Sequence, residues 1–246
     1  MKKVKMNISL WLQLACLSSI VLAGIAYRFE LLPFKLFAGL FALAVLVWLF
    51  FGLTSIVKSG VSLVQQQMVQ QQTIQSINWL AFGMGLLVIV MMVAFLQQVK
   101  RYPPIHDISS DIDNPPEFKH AQSLRSESDN PLNHDYEVGV QQQKAYPDLN
   151  SLKVDLSSPE AFAKAQRVAE GQLWFIEYVD EELGHIEATA RSPLLGFVDD
   201  IVIRIRQVEG GSVIDLRSVS RVGRSDLGAN AARIIQFFSV YQNKVD

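Results

Sequence analysis

The chain has 246 residues, with 22 Lys/Arg against 24 Asp/Glu, half of its residues apolar and a single cysteine. A chain so near neutrality has no broad basic surface for nucleic acid, and one cysteine excludes a disulfide framework or a thiolate zinc site. The charge divides unevenly: residues 1–99 carry six Lys/Arg and one Asp/Glu, whereas residues 100–246 carry 16 and 23.

In chain order, three apolar stretches come first, at about 10–27, 34–57 and 79–96. A helix rises about 1.5 Å per residue and a bilayer core is roughly 30 Å thick, so about 20 apolar residues make a crossing. The stretch 34–57 meets this, with Lys35 near one end and Lys58 just past the other. The stretch 79–96 carries no charge and is closed by Gln97, Gln98, Lys100 and Arg101. The first is diluted by Gln13, Ser18 and Ser19, and with Lys2, Lys3 and Lys5 ahead of it has the outline of a signal peptide. No small-x-small cleavage site precedes Arg28 and a long span follows at once, so a retained helix is expected. All three stretches are apolar all round, which suits lipid rather than the core of a water-soluble domain. The early lysines place the N-terminus in the cytoplasm. Three crossings then carry the rest of the chain to the periplasmic side of a bacterial inner membrane, although Lys100 and Arg101 run against that orientation. Between the second and third spans, Ser59–Asn78 contains Gln65–Gln67 and Gln70–Gln72 and reads as a helical extension or hairpin at the cytoplasmic interface.

Residues 100–144 open with Tyr102-Pro103-Pro104 and continue rich in Asn, Pro, Ser, Glu and Gln, with Phe118, Leu124, Leu132, Tyr136 and Val138 as apolar anchors. Such a composition buries little surface and reads as an extended strap or linker. His106, Asp107, Ser109, Asp111 and Asp113 alternate carboxylates in the manner of a calcium loop, but the glycine turn and the closing glutamate are missing. Regular structure resumes near Lys153. Ser157-Ser158-Pro159-Glu160 starts a helix whose stripe is Ala161, Phe162, Ala165, Val168 and Ala169, with Gly171 as its stop. Four strands are expected near 172–179, 184–191, 199–207 and 212–221, then a helix from Asp226 to Tyr241. Alternation puts Trp174, Ile176, Tyr178, Ile186, Ala188, Ala190, Ile201, Ile203, Ile205, Ile214 and Leu216 on one face. The other face takes Glu177, His185, Glu187, Thr189, Arg191, Asp200, Arg204, Arg206, Asp215, Arg217 and Arg221. The expected fold is α+β, with a membrane anchor of three transmembrane helices over 1–99 and a strap over 100–144. A two-layer sandwich follows over 145–246, an antiparallel four-stranded sheet with helices on one face.

The densest chemistry lies in two runs. One is F-V-D-D-I-V-I-R-I from Phe197, the other D-L-R-S-V-S-R-V-G-R-S-D-L-G-A-N-A-A-R-I from Asp215. Together with P-P-I-H-D-I-S-S-D from Pro103 and N-P-P-E-F from Asn114, they resemble the bacterial domain-of-unknown-function family 1499 over roughly 102–246. The resemblance implies a membrane-anchored architecture and no established activity. Physically, Arg217, Arg221, Arg224 and Arg233 gather near the start of the last helix, where Ser225 can cap and Gly228 permits close approach. That is the makeup of a site for phosphate, sulfate or a lipid headgroup. The competing reading is a lattice in which Arg204 and Arg217 pair across strands with Asp215 and Asp200, while Ser225 and Asp226 only cap the helix. Asp199 and Asp200 invite an acid/base or metal role, but adjacent strand residues point to opposite faces and cannot converge without a bulge. His185 has no cysteine or second histidine near it in sequence. No metal, cofactor, nucleic acid or catalytic set is therefore expected.

These features lead to a membrane-anchored envelope protein, a non-enzymatic module that binds a partner protein or an anionic small molecule at the start of its last helix. Two alternatives stay open. One is a hydrolase or transferase acting on a phosphate-bearing envelope substrate through Asp199 or His185; the other is an accessory subunit of an inner-membrane complex.

Overall fold

The computed structural model describes residues 8–68 and 79–243. Lys2, Lys3, Lys5 and the 69–78 part of the glutamine-rich loop lie outside them. The chain forms two compact units, Met1–Gln98 and Val99–Asp246.

The first unit is built from α1 (Ile8–Arg28), α2 (Phe34–Met68) and α3 (Trp79–Arg101), whose last residues run into the second unit. Each contains a stretch long and apolar enough to cross a membrane: Ile8–Arg28, Phe34–Val61 and Phe82–Arg101. The second helix continues past the expected end near 57 through the first glutamine run, so the described part of that loop is a helical extension. Gln13, one of the residues that diluted the first stretch, is fully buried. Its Nε2 donates to Ser9 Oγ at 3.3 Å and Ser55 Oγ at 3.2 Å, and those hydroxyls lie 2.6 Å apart. Polar groups that would be costly in lipid thus join α1 to α2. Ser18 and Ser19 return their hydroxyls to Leu14 and Cys16 carbonyls of their own helix. A Cβ on Gly52 would come within 2.9 Å of Gly85 Cα, so α2 and α3 approach through a glycine pair.

The second unit holds a six-stranded antiparallel sheet, not a four-stranded one. The expected strands are β3 (Phe175–Asp180), β4 (His185–Arg191), β5 (Val198–Val208) and β6 (Gly211–Ser220). Two short strands, β1 (Asp107–Ser109) and β2 (Leu152–Val154), share the far edge of β6, giving the order β1-β6-β5-β4-β3 with β2 also on β6. Strands of three residues carry no readable alternation, which is why the sequence hid them. Residues 100–144, read as an extended strap, contain β1 and two helices, α4 (Ala121–Leu124) and the start of α5 (Tyr136–Ala145).

Ile186, Ile201, Ile203, Ile205, Ile214 and Leu216 form the apolar face and are buried beneath α6 (Ser158–Gly171) and α7 (Ala229–Gln242), which contribute Phe162, Ala165, Ile234 and Phe237. Trp174 stacks on Phe237 with ring centroids 5.4 Å apart. Tyr178 departs from the expected face. The register shifts between Ile176, opposite Ala188, and Tyr178, opposite Glu187. The extra residue, Glu177, turns Tyr178 onto the charged face, where it packs between His120 and His185. The α6 start is capped as expected, Ser157 donating its N–H to Glu160 at 3.1 Å. The last helix begins at Ala229 rather than Asp226, because Gly228 is its N-cap and has left-handed backbone, φ 86°. A Cβ there would lie 2.4 Å from the Tyr102 ring, so glycine is required twice over.

Candidate functional site

The charged face of the sheet meets charges carried by residues 107–130. Arg217, 2% exposed, donates to both oxygens of Asp107, at 2.9 and 2.8 Å, and to the Leu132 carbonyl at 2.7 Å. His134 Nδ1 lies 3.1 Å from the same carboxylate. Burial pushes the Asp107 carboxyl up, but the His134 and Arg217 bonds outweigh it and hold the group below its ordinary value. Asp200 receives Arg221 through two bonds, at 3.0 and 2.8 Å, and Arg125 at 2.7 Å. Asp215 accepts from Arg204 and Arg206, both of which also reach Asp111. The pairing of Arg204 with Asp215 is the one the lattice reading anticipates. Arg217 differs, taking Asp107 on β1 in place of Asp200, because β1 docks beside β6 with Asp107 opposite Val219.

Glu187 forms a second buried node. His185 Nε2 lies 2.8 Å from it, and the N–H groups of Lys119, His120 and Ala121 donate to its oxygens at 2.5 to 3.1 Å. Burial raises the Glu187 pKa, and these donors more than reverse the effect. His185 is thus held among side chains rather than presented to a substrate.

On the helix side the chemistry concentrates at the start of α7. Asp199 points opposite to Asp200 and meets Arg233 at 2.5 Å. Asn230 accepts from Ser218 Oγ at 2.7 Å and donates to Ser220 Oγ at 3.0 Å. The N–H groups of Gly228 and Asn230 donate to the Asp226 carboxylate at 2.9 and 2.8 Å, so Asp226 occupies the helix start. Its pKa is raised by burial despite those two bonds. Ser225 instead donates to the Pro103 carbonyl at 3.1 Å. Arg224 is exposed. The six residues singled out for anion binding are therefore distributed: Arg217 and Arg221 on one face of the sheet, Arg233 on the other, Ser225 and Gly228 against Pro103 and Tyr102. Among the described residues, no three His, Cys, Asp or Glu side chains lie close enough to hold a metal ion.

A cleft of about 1170 Å3 opens between α6 and α7, and its lining contains one residue of the anticipated set, Arg233. The walls are Lys164, Arg167, Val168 and Gly171 from α6 and Ala229, Ala232, Arg233 and Gln236 from α7, both at three-four helical spacing. Trp174 precedes β3, Ala190 lies in β4, and Arg191 and Pro193 come from the end of β4 and the turn beyond. Lys164 and Arg167 were not singled out in the sequence, and Arg191, expected on the charged face, lines the cleft from the end of β4. Their one signal is three basic residues in a segment otherwise dominated by carboxylates, and their convergence depends on two helices and a strand end.

The pattern of a family described as "Protein of unknown function (DUF1499)" matches residues 107–240. No curated protein matches the chain.

Proposed function

The chain belongs to the DUF1499 family, whose function is unknown, and we propose from its own side chains that it is a non-enzymatic envelope module. Three helices anchor it in a bacterial inner membrane, with the N-terminus in the cytoplasm and the Val99–Asp246 unit in the periplasm. There it binds a partner or an anionic ligand next to the start of α7. The orientation is supported by Lys2, Lys3 and Lys5 ahead of the first span and an odd number of spans.

One observation carries the non-enzymatic reading. The groups that chemistry would use are occupied by one another: Asp199 by Arg233, Asp200 by Arg125 and Arg221, Glu187 by hydrogen bonds from three N–H groups and contact with His185. A catalytic acid or base needs a free position for substrate within hydrogen-bond reach, and these carboxylates spend their oxygens inside the fold. Full-length protein in lipid nanodiscs is expected to release neither phosphate from phosphomonoester substrates nor alcohol from phosphodiester substrates. Turnover that Asp199→Asn or Arg221→Ala abolishes, with the cooperative melt retained, would overturn the reading.

A further inference from the structure

We propose that the cleft between α6 and α7 binds an anionic amphiphile, an alkyl or acyl chain bearing a phosphate head, as a phospholipid does. The proposal deepens the ligand-binding reading above by naming the ligand class and the residues that meet it.

The first argument is charge. The 100–246 segment has 16 Lys/Arg against 23 Asp/Glu, yet the cleft is lined by Lys164, Arg167, Arg191 and Arg233 and, among the described residues, by no carboxylate. Arg233 is neutralised by Asp199, which is 6% exposed. Lys164 keeps its ammonium 4.7 Å above the Tyr241 ring, which leaves its charge in place. Arg167 is exposed. A cationic lining in an acidic unit complements an anion, and guanidinium groups match the paired oxygens of a phosphate.

The second argument is the apolar part of the lining. Trp174, Val168, Ala190, Ala232 and Val240 give the cleft a hydrocarbon surface next to its cations. Leu173 extends it in a way that folding does not require. It stands in left-handed backbone at φ 60° and is exposed. Left-handed backbone is strained for a leucine, and at 85% exposure it recovers little burial within the unit, whereas an alkyl chain in the cleft would cover it. A bare anion would use the arginines and leave Leu173 uncovered. A plain hydrocarbon would leave the cations without a role. The Gln172 side-chain nitrogen, buried and lacking a hydrogen-bond partner among the described residues, also lines the cleft and can donate to a head-group oxygen.

The test titrates octyl phosphate into full-length protein in phosphatidylcholine nanodiscs by calorimetry, with empty discs as the blank and octanol and inorganic phosphate as comparison probes. Saturable one-to-one binding is expected, about tenfold or more tighter for octyl phosphate than for either comparison probe. Arg167→Glu and Arg191→Glu should each weaken it about tenfold, and Leu173→Ser should narrow the gap between octyl phosphate and inorganic phosphate. If a charge reversal lowers the melting temperature, Arg167→Gln and Arg191→Gln replace it, with a smaller weakening expected. Absence of saturable binding, equal binding of inorganic phosphate or octanol, or arginine variants that bind like the parent would each overturn the proposal. Recovery of octanol and free phosphate after incubation would sink the non-enzymatic reading while leaving the binding site standing.

Discussion

Arg217 and Asp107 lie 110 residues apart in the chain and meet as a bidentate pair, with side chains 3% and 5% exposed. A buried pair of this kind tolerates the loss of one partner poorly, because the other is left charged and desolvated. Asp107→Ala is therefore expected to lower the stability of the Val99–Asp246 unit by about 3–5 kcal/mol, read from urea unfolding of the anchored protein. A loss under 1 kcal/mol would mean that water reaches Arg217. The acid response follows from the same groups. Asp107 and Glu187 have folded pKa values below their ordinary ones, so their contribution is complete above the unfolded carboxylate values of about 4 and is lost as pH falls through the folded values. His106 is pushed down by burial, so the fold favours its neutral form, and that contribution begins to fade below about pH 6.5. Asp226, raised by burial, has the opposite sign, and its protonation relieves a cost. The melting temperature should be level from neutral to mildly alkaline pH, dip slightly below about 6.5 and fall steeply below about 4. A level profile down to about pH 3 would show that the carboxylate pairs contribute nothing.

At the scale of elements, β4–β6 and both covering helices were legible because each repeats one rule often enough to read. Ile201, Ile203 and Ile205 alternate, and Ile234, Phe238 and Tyr241 recur at helical spacing. The β3 face was legible as far as Ile176 and then inverted, since composition does not reveal an inserted residue in a strand. The hairpin between β3 and β4 depends on Gly184, with φ 61° and an added Cβ only 2.2 Å from the Ile205 carbonyl oxygen. Backbone on both sides cannot yield as a flexible side chain would. Gly184→Ala should thus destabilise the unit by more than about 1 kcal/mol, beyond what the left-handed φ alone costs. Hydrogen exchange localised to β3 and β4 would report the damage, and a variant as stable as the parent would show that the turn relaxes. The cationic cleft was not legible. Its lining comes from two helices, a strand end and the connections beside them, and three scattered basic residues do not reveal that they converge.

For the whole molecule, the main test is which side of the membrane the Val99–Asp246 unit occupies. Cys16 lies in α1 and is the chain's single cysteine, and Ser123 is exposed in α4. A Ser123→Cys variant is expected to react with an impermeant maleimide in intact spheroplasts, while the parent stays unlabelled. Protection until lysis would place the unit in the cytoplasm and move the search for its ligand there. The two-unit organisation lets this be decided without reference to ligand chemistry, since anchoring draws on the helices of the first unit and the cleft lies in the second.

The sequence by itself determined the three apolar spans, the α+β class, the apolar face of the sheet and the family. All of these rest on local composition or short periodic patterns, which the chain carries in consecutive residues. Apart from Arg204 with Asp215, tertiary structure decided the partners of the charges. The sequence shows that Arg217, Arg221 and Arg233 cluster, but not that Asp107, Asp200 and Asp199 claim them from opposite faces of the sheet. Ion pairing depends on distance in space, and β1, read as strap, brings its carboxylate to Arg217 across more than a hundred residues of chain. The same dependence on spatial convergence places Lys164, Arg167, Arg191 and Arg233 around one cleft.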